Sequence, residues 1–377
     1  MKITIQTVKL IDVIDIATRF VAKNATLPIL QNLYLKASID SLLLRATDME
    51  KYVEMELPCK VKVEWSITVN AKTFSDIIRT IEEENIEMSV DQKSQVMTIK
   101  SAKDVFDINW ISASEYVALP EVPKDNSIKL DAQLFADGIS KVEYAVTEKN
   151  FSPVLTWVFM KFKWDNIAFV WTDSFRLAEF KTKNGWDNWD FGLIVPKTTM
   201  TDIQKIAEYA IANESEEITI QYSDNLIAFQ LNVKDIKIMA TSLLIQWNFP
   251  DYDKEDIMPK TFNTKILVDK NLCEKAIRKI QILTRDINNF IQIETEKDSI
   301  SISSWKTDKW AGNTSIPAII EWTSLSFWIN GRYITDFIKT IKWDELLFNV
   351  IDSQKPLIIM DKNDSSYKYV VRPLINS

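Results

Sequence analysis

ITVNAKTFSDIIRTI, residues 67–81, has two counterparts further along the 377-residue chain: LIVPKTTMTDIQKIA at 193–207 and FWINGRYITDFIKTI at 327–341. Aligning Asp76, Asp202 and Asp336 brings Val69, Val195 and Ile329 into register at the end of a short apolar strand, after which a helix begins. The helix carries an apolar stripe at i, i+3, i+4 and i+7: Phe74, Ile77, Ile78 and Ile81 in the first copy, Ile334, Phe337, Ile338 and Ile341 in the third. In the middle copy Gln204 and Ala207 occupy two of these places and weaken the stripe. The anchors lie 126 and 134 residues apart. Solenoid repeats recur every ~20–45 residues, so this segment marks a triplicated domain.

A second helical pattern opens each unit after an initial strand: LIDVIDIATRFVAK from Leu10, LFADGISKVEYAVT from Leu134 and LCEKAIRKIQILTR from Leu272. Around the helices run β-branched and aromatic stretches such as LPILQNLYLKA, VLTWVFMKF, NIAFVWT, EITIQYS and KPLIIMD, bounded by Asn, Asp and Lys clusters that read as turns. Each unit is therefore an α+β domain with antiparallel sheet on one side and a helix pair on the other. The polar, proline-bearing stretches at 119–127 and 252–263 read as linkers, dividing the chain into domains 1–125, 126–258 and 259–377.

Composition narrows the function. The chain has no histidine, which removes the usual general base, the commonest zinc ligand and every Ser/His or Cys/His pair. Its five glycines are too scattered for a phosphate-binding loop, and no cluster of carboxylates suggests a metal centre. We expect no catalytic residues, metal or cofactor. Cys59 and Cys273 lie far apart without companions and read as packing residues in a reducing compartment. No apolar run approaches the ~20 residues of a membrane span, and MKITIQTVKL lacks the apolar core of a signal peptide, so the expectation is a cytoplasmic protein.

A net charge of −8 argues against a wholly basic nucleic-acid binder but leaves room for a segregated basic face. Residues seven apart share a helix face, which groups Lys72 with Arg79, Thr198 with Lys205 and Arg332 with Lys339. The second place of each pair is basic every time. Lys275, Arg278 and Lys279 add a cluster on another helix, and Lys342 lies about a turn beyond Lys339. On a single helix such residues are an ordinary solvated face. Their return in three repeats makes phosphate contact an equal alternative.

The order of elements resembles that of the bacterial sliding clamps, the DNA polymerase III beta subunits, and five motifs carry the likeness along essentially the whole chain. They are TLPILQNL at 26–33, FVWTDSFRLA at 169–178 (similar to the family's ATDGHRLA), IVPK at 194–197, NFPDY at 248–252 and YVVRPL at 369–374. The resemblance implies two chains joined head to tail in a ring around double-stranded DNA, with helices lining the hole and sheets outside. It implies a non-catalytic processivity factor that holds DNA without reading sequence. DNA-facing candidates are Lys23, Lys72, Arg79, Lys149, Lys197, Lys205, Lys275, Arg278, Lys339 and Lys342. The family also binds short linear peptides of the replicative polymerase, the clamp loader and repair proteins in an apolar pocket. The matching positions are Leu155, Thr172, Ser174, Phe175, Arg176, Leu177, Pro250, Tyr333, Val370, Pro373 and Leu374, with Thr172 and Arg176 as polar anchors; core packing is the alternative for each. Phe175 and Ser174 stand where the family has histidine and glycine, Arg372 replaces an apolar residue, and the chain ends INS where the family ends in arginine and leucine. The second functional reading is a clamp-like peptide-binding hub that does not encircle DNA.

Tryptophan occurs 13 times against 5 glycines. Trp157, Trp247, Trp322 and Trp328 stand where the family typically has glycine, and Trp65, Trp164 and Trp305 fall in expected turns. Reading UGA codons as tryptophan in a lineage that uses them for glycine produces this pattern. Turns demanding positive φ are expected at Trp247 and Trp322. An aromatic binding platform is the alternative, disfavoured because the tryptophans are scattered singly.

Overall fold

The computed structural model describes residues 2–374 except 24–26, 123, 125, 146–156, 184–188, 307–309 and 323. Its described helices fall in three pairs: α1 (Thr7–Ala17) and α2 (Ala71–Ile78), α3 (Ala132–Ser140) and α4 (Lys197–Ala212), α5 (Lys270–Thr284) and α6 (Gly331–Ile338). Side-chain caps start most of them. Asn70 accepts the Thr73 N–H, Asp131 that of Leu134, Asp269 that of Leu272 and Asn330 that of Arg332. The apolar stripes point inward: Phe74, Ile78, Ile334 and Phe337 are buried, as are Gln204 and Ala207 of the weaker middle copy.

Two first helices are shorter than the 3.6-residue periodicity suggests. α1 stops at Ala17 because the chain tightens: the N–H groups of Arg19 and Phe20 bond the carbonyls of Ile16 and Ala17, and the Phe20 ring turns into the core. α3 stops at Ser140 and is followed by a 3₁₀ turn, Glu143–Ala145.

Four or five strands lie between the helices of each pair, of which the first three form one set, and the first three strands after each second helix form another. The third strand of the first set is Lys51–Pro58, Arg176–Lys183 or Asn313–Trp322; the last of the second set is Val105–Asn109, Ile236–Leu243 or Tyr367–Val371. Lys51–Pro58 pairs antiparallel with Ile236–Leu243, Lys51 opposite Ser242. Arg176–Lys183 pairs in the same way with Tyr367–Val371, Arg176 opposite Val371. These joints make sheets of nine and twelve strands that run across repeat boundaries.

That continuity explains why compactness cuts the chain differently from its repeats. One unit comprises 1–136 with 198–246, the other 137–197 with 247–377, so the second repeat is shared between them. No helix among the described residues is long and apolar enough to cross a membrane.

The tryptophans divide. Trp164 sits in a turn at φ 56° with its indole 64% exposed, a conformation that favours glycine. Trp247 is also exposed, but neither it nor Trp322, at the end of a strand, has the positive φ expected of them. Trp65 lies buried in the strand Trp65–Asn70, not in a turn, and its indole N–H has no partner among the described residues. Trp305 follows a strand end, exposed, and leans on Trp328 at 4.9 Å between ring centres.

Candidate functional site

The basic positions on the helices are at the surface, and most are held by a nearby carboxylate. Arg79 meets Asp15 at 2.5 Å, Lys205 meets Glu208 at 2.7 Å, and Arg278 meets Glu274 at 2.6 Å. On α6, Arg332 and Lys339 both approach Asp336, at 3.7 and 3.4 Å. Exposed pairs of this kind contribute about 0–1 kcal/mol, so a phosphate can displace the carboxylate at little cost. Lys23, Lys72, Lys275, Lys279 and Lys342 are exposed too. Lys197 is half-buried, its ammonium 5.5 Å from the Trp171 ring centre, and so is less available than the sequence suggests. Lys149 lies outside the described residues.

At the start of two strands the chain makes the same turn, TDMEK at 47–51 and TDSFR at 172–176. Thr47 and Thr172 donate their hydroxyls to the carbonyls of Lys51 and Arg176. Asp48 accepts the N–H groups of Glu50 and Lys51, and Asp173 those of Phe175 and Arg176. The middle residues, Met49 and Ser174, take φ 80° and 74°. Serine thus holds the left-handed place for which the family's glycine is suited.

Each turn ends in a cation aimed at the second helix of the next repeat. Lys51, nearly buried, bonds Asp202 of α4. Arg176, 5% exposed, meets Asp173 at 3.0 Å, Asp336 of α6 at 3.2 Å and the Tyr369 hydroxyl at 3.4 Å, and lies 4.5 Å from the Tyr333 ring centre. Burial raises the Asp173 and Asp202 carboxyls above the usual range, against the pull of these cations. Arg176 and Thr172 were expected as polar anchors for a ligand. Here the fold itself engages both, because a buried guanidinium is tolerable only with its donors satisfied.

Beside the second turn lies a buried apolar cluster. Leu177 and Val370 are cross-strand partners, and they join Ala168, Val170, Tyr252, Met258 and Ile358 in one cluster. Phe159, Phe249, Ile257, Phe262 and Met360 pack around it, with Phe159 and Phe249 stacked at 4.4 Å. The stretch expected to be a polar linker thus folds its aromatic residues onto the sheet. Sequence reading missed Tyr252, Met258 and Phe262 because they are spaced irregularly among charges, with no period to betray a buried side.

The remaining candidates differ in exposure. Phe175 is 59% exposed, and its carbonyl accepts the Arg372 N–H. Tyr333 is half-buried, Pro250 exposed and Pro373 buried. Leu374 bonds the Trp328 carbonyl through its N–H. Leu155 lies outside the described residues.

Burial pushes the Cys59 and Cys273 thiols up to about 11 and about 12, so neither is a thiolate at neutral pH. Among the described residues no three or more Cys, Asp or Glu are grouped as metal ligands. Such a surface offers charge at exposed cations and apolar contact beside the second turn.

Family models of the DNA polymerase III beta subunit match in three consecutive pieces: the N-terminal domain over 1–120, the central domain over 129–251 and the C-terminal domain over 255–375. A beta sliding clamp of Staphylococcus aureus is 25% identical over 384 residues, 99% of either chain. Crystal structures of the beta subunit of Thermotoga maritima and the sliding clamp of Bacillus subtilis, at 22% and 24% identity, each superpose with a TM-score of 0.91 over all of both chains.

Proposed function

The chain belongs to the DNA polymerase III beta subunit family, the non-catalytic sliding clamps, and we propose that this clamp works as two copies closed head to tail around duplex DNA in the cytoplasm. The observation that carries the reading is the joint used twice within the chain, third strand of one set to last strand of another. It leaves one strand of each kind without its counterpart. Among the described residues Val105–Asn109 is the end strand of its sheet, and the Asn313–Pro317 half of the long strand pairs on one side, with Ser299–Ser303. An unpaired edge is a template for another chain, and these two edges match the types already joined.

On this reading the exposed cations of α2, α4, α5 and α6 hold phosphates without reading bases, so the ring can slide. The partly exposed apolar residues packed over the buried Leu177–Val370 core, with Phe175, Tyr333, Pro373 and Leu374, form the docking face for linear peptides of the replicative polymerase, the clamp loader and repair proteins.

Retention on circular and linearised plasmid tests the proposal. A ring loaded onto circular DNA stays through a high-salt wash and runs off once the plasmid is cut, and the free protein has twice the 43.7 kDa chain mass by light scattering. Equal loss from both plasmids, from a monomer that still binds peptide, would instead establish a hub that does not encircle DNA.

A further inference from the structure

The strands Arg176–Lys183 and Tyr367–Val371 set their side-chain pairs in a row, because every second residue of an antiparallel ladder faces the same way. Toward one end Glu179 lies opposite Lys368, and the buried Glu179 carboxylate is held by Lys181 at 2.8 Å. In the middle Leu177 lies opposite Val370, both buried in the apolar cluster. The ladder continues one step past the strand ends. The Arg372 N–H bonds the Phe175 carbonyl at 2.9 Å, so Phe175 and Arg372 make the next pair, which alternation puts on the face of Leu177 and Val370.

The three pairs differ in what they leave open. Glu179 is neutralised in place, and Leu177 is covered by the residues packed against it. Phe175 and Arg372 are both exposed, and the Arg372 guanidinium meets no carboxylate among the described residues. Arg176 and Arg332, by contrast, both reach Asp336.

We propose that Arg372 selects among the linear peptides that dock on this face, favouring those with an acidic side chain within two residues of an apolar anchor. The inference rests on the docking reading and deepens it by naming the chemistry of the ligand. A guanidinium presents a planar fork of donors that fits a carboxylate through two bonds, and one without an internal partner gives up only water to make them. Phe175 supplies apolar contact directly beside the cation. The Leu177–Val370 step lies ~7 Å further along the strands, which is also the spacing of same-side residues in an extended peptide. A glutamate or aspartate on the peptide therefore reaches Arg372 while a neighbour on the same side rests on apolar surface. An amide in its place makes weaker bonds, and a lysine is repelled. The preference follows from the departure at this position, since the apolar residue that the family has there carries no charge with which to discriminate.

Fluorescence anisotropy on the full chain tests the selection. The probes are short labelled peptides containing two leucines and one variable residue, glutamate, glutamine or lysine, stepped through the positions around them. The best glutamate probe should bind about three- to tenfold tighter than its glutamine twin, with the lysine twin weaker still. Arg372→Gln should bind the glutamate and glutamine twins alike, and Arg372→Glu should favour the lysine twin. Either replacement keeps the backbone N–H that bonds Phe175, so melting temperatures should match the parent. In the unmutated chain the preference should also shrink as salt rises, a readout that needs no variant. Twins bound within about twofold of each other by the parent, or a glutamate preference that survives Arg372→Gln, would overturn the selection and leave the docking face standing. A parent chain that binds none of the probes would overturn the docking face and the selection together.

Discussion

Two residues show how far a local rule reaches. Trp164 occupies left-handed backbone with an exposed indole, so it gives up little packing and bears the full steric cost of its side chain. Trp164→Gly should raise stability by about 1 kcal/mol in chemical denaturation, whereas Trp65→Gly, at a buried strand position, should lower it. Intact mass of the native protein decides whether these tryptophans are glycines in the organism: a mass equal to the 43.7 kDa translation ends that idea. Leu177 sits under Tyr252 and Met258, not on an open wall, so a lysine there would threaten the fold as well as the ligand. Leu177→Ala is the better probe. It should cost about 2–4 kcal/mol of stability and weaken binding of a clamp-binding peptide by more than about tenfold in calorimetry; undiminished affinity would remove this face from the docking site.

The elements were legible wherever periodicity was regular. The helices α2 and α6 declared themselves through stripes that are buried where expected, and the Asn that precedes each supplied a cap. The ends of α1 and α3 were not legible, since a helix stops where tertiary packing captures a side chain such as Phe20, and periodicity does not record that. The basic places on the helices emerged from repetition alone. The likeness between TDMEK and TDSFR is hard to see in the sequence because it is short and lies outside the helical segment on which the repeats align. Its consequence is energetic. Arg176→Met strands the buried Asp173 carboxylate and removes the buried partner of Asp336, which keeps Arg332 and Lys339, and should cost about 3–5 kcal/mol, read as a lowered melting temperature. The same change made together with Asp173→Asn and Asp336→Asn should cost less than the single change, because no unpaired charge remains.

Over the whole molecule, charge and sheet continuity set behaviour that no single element has. Removing Arg79, Lys205 and Lys339 together should reduce retention on DNA to the same degree for every sequence tested, and the deficit should shrink as salt rises. A loss that varied with sequence would mean base readout and contradict a sliding ring. The domain count was readable from three copies of one segment. The compact units were not, because hydrogen bonds between Lys51–Pro58 and Ile236–Leu243, and between Arg176–Lys183 and Tyr367–Val371, tie distant parts of the chain together. Those pairings also set a timetable for the ribosome. The first unit is complete once residue 246 has emerged, but the edge at Arg176–Lys183 waits for a strand almost two hundred residues downstream. Throughout that interval the nascent chain displays an open β edge beside apolar side chains, so slow translation of the final third favours aggregation, and a chaperone that shields edges has most to do there.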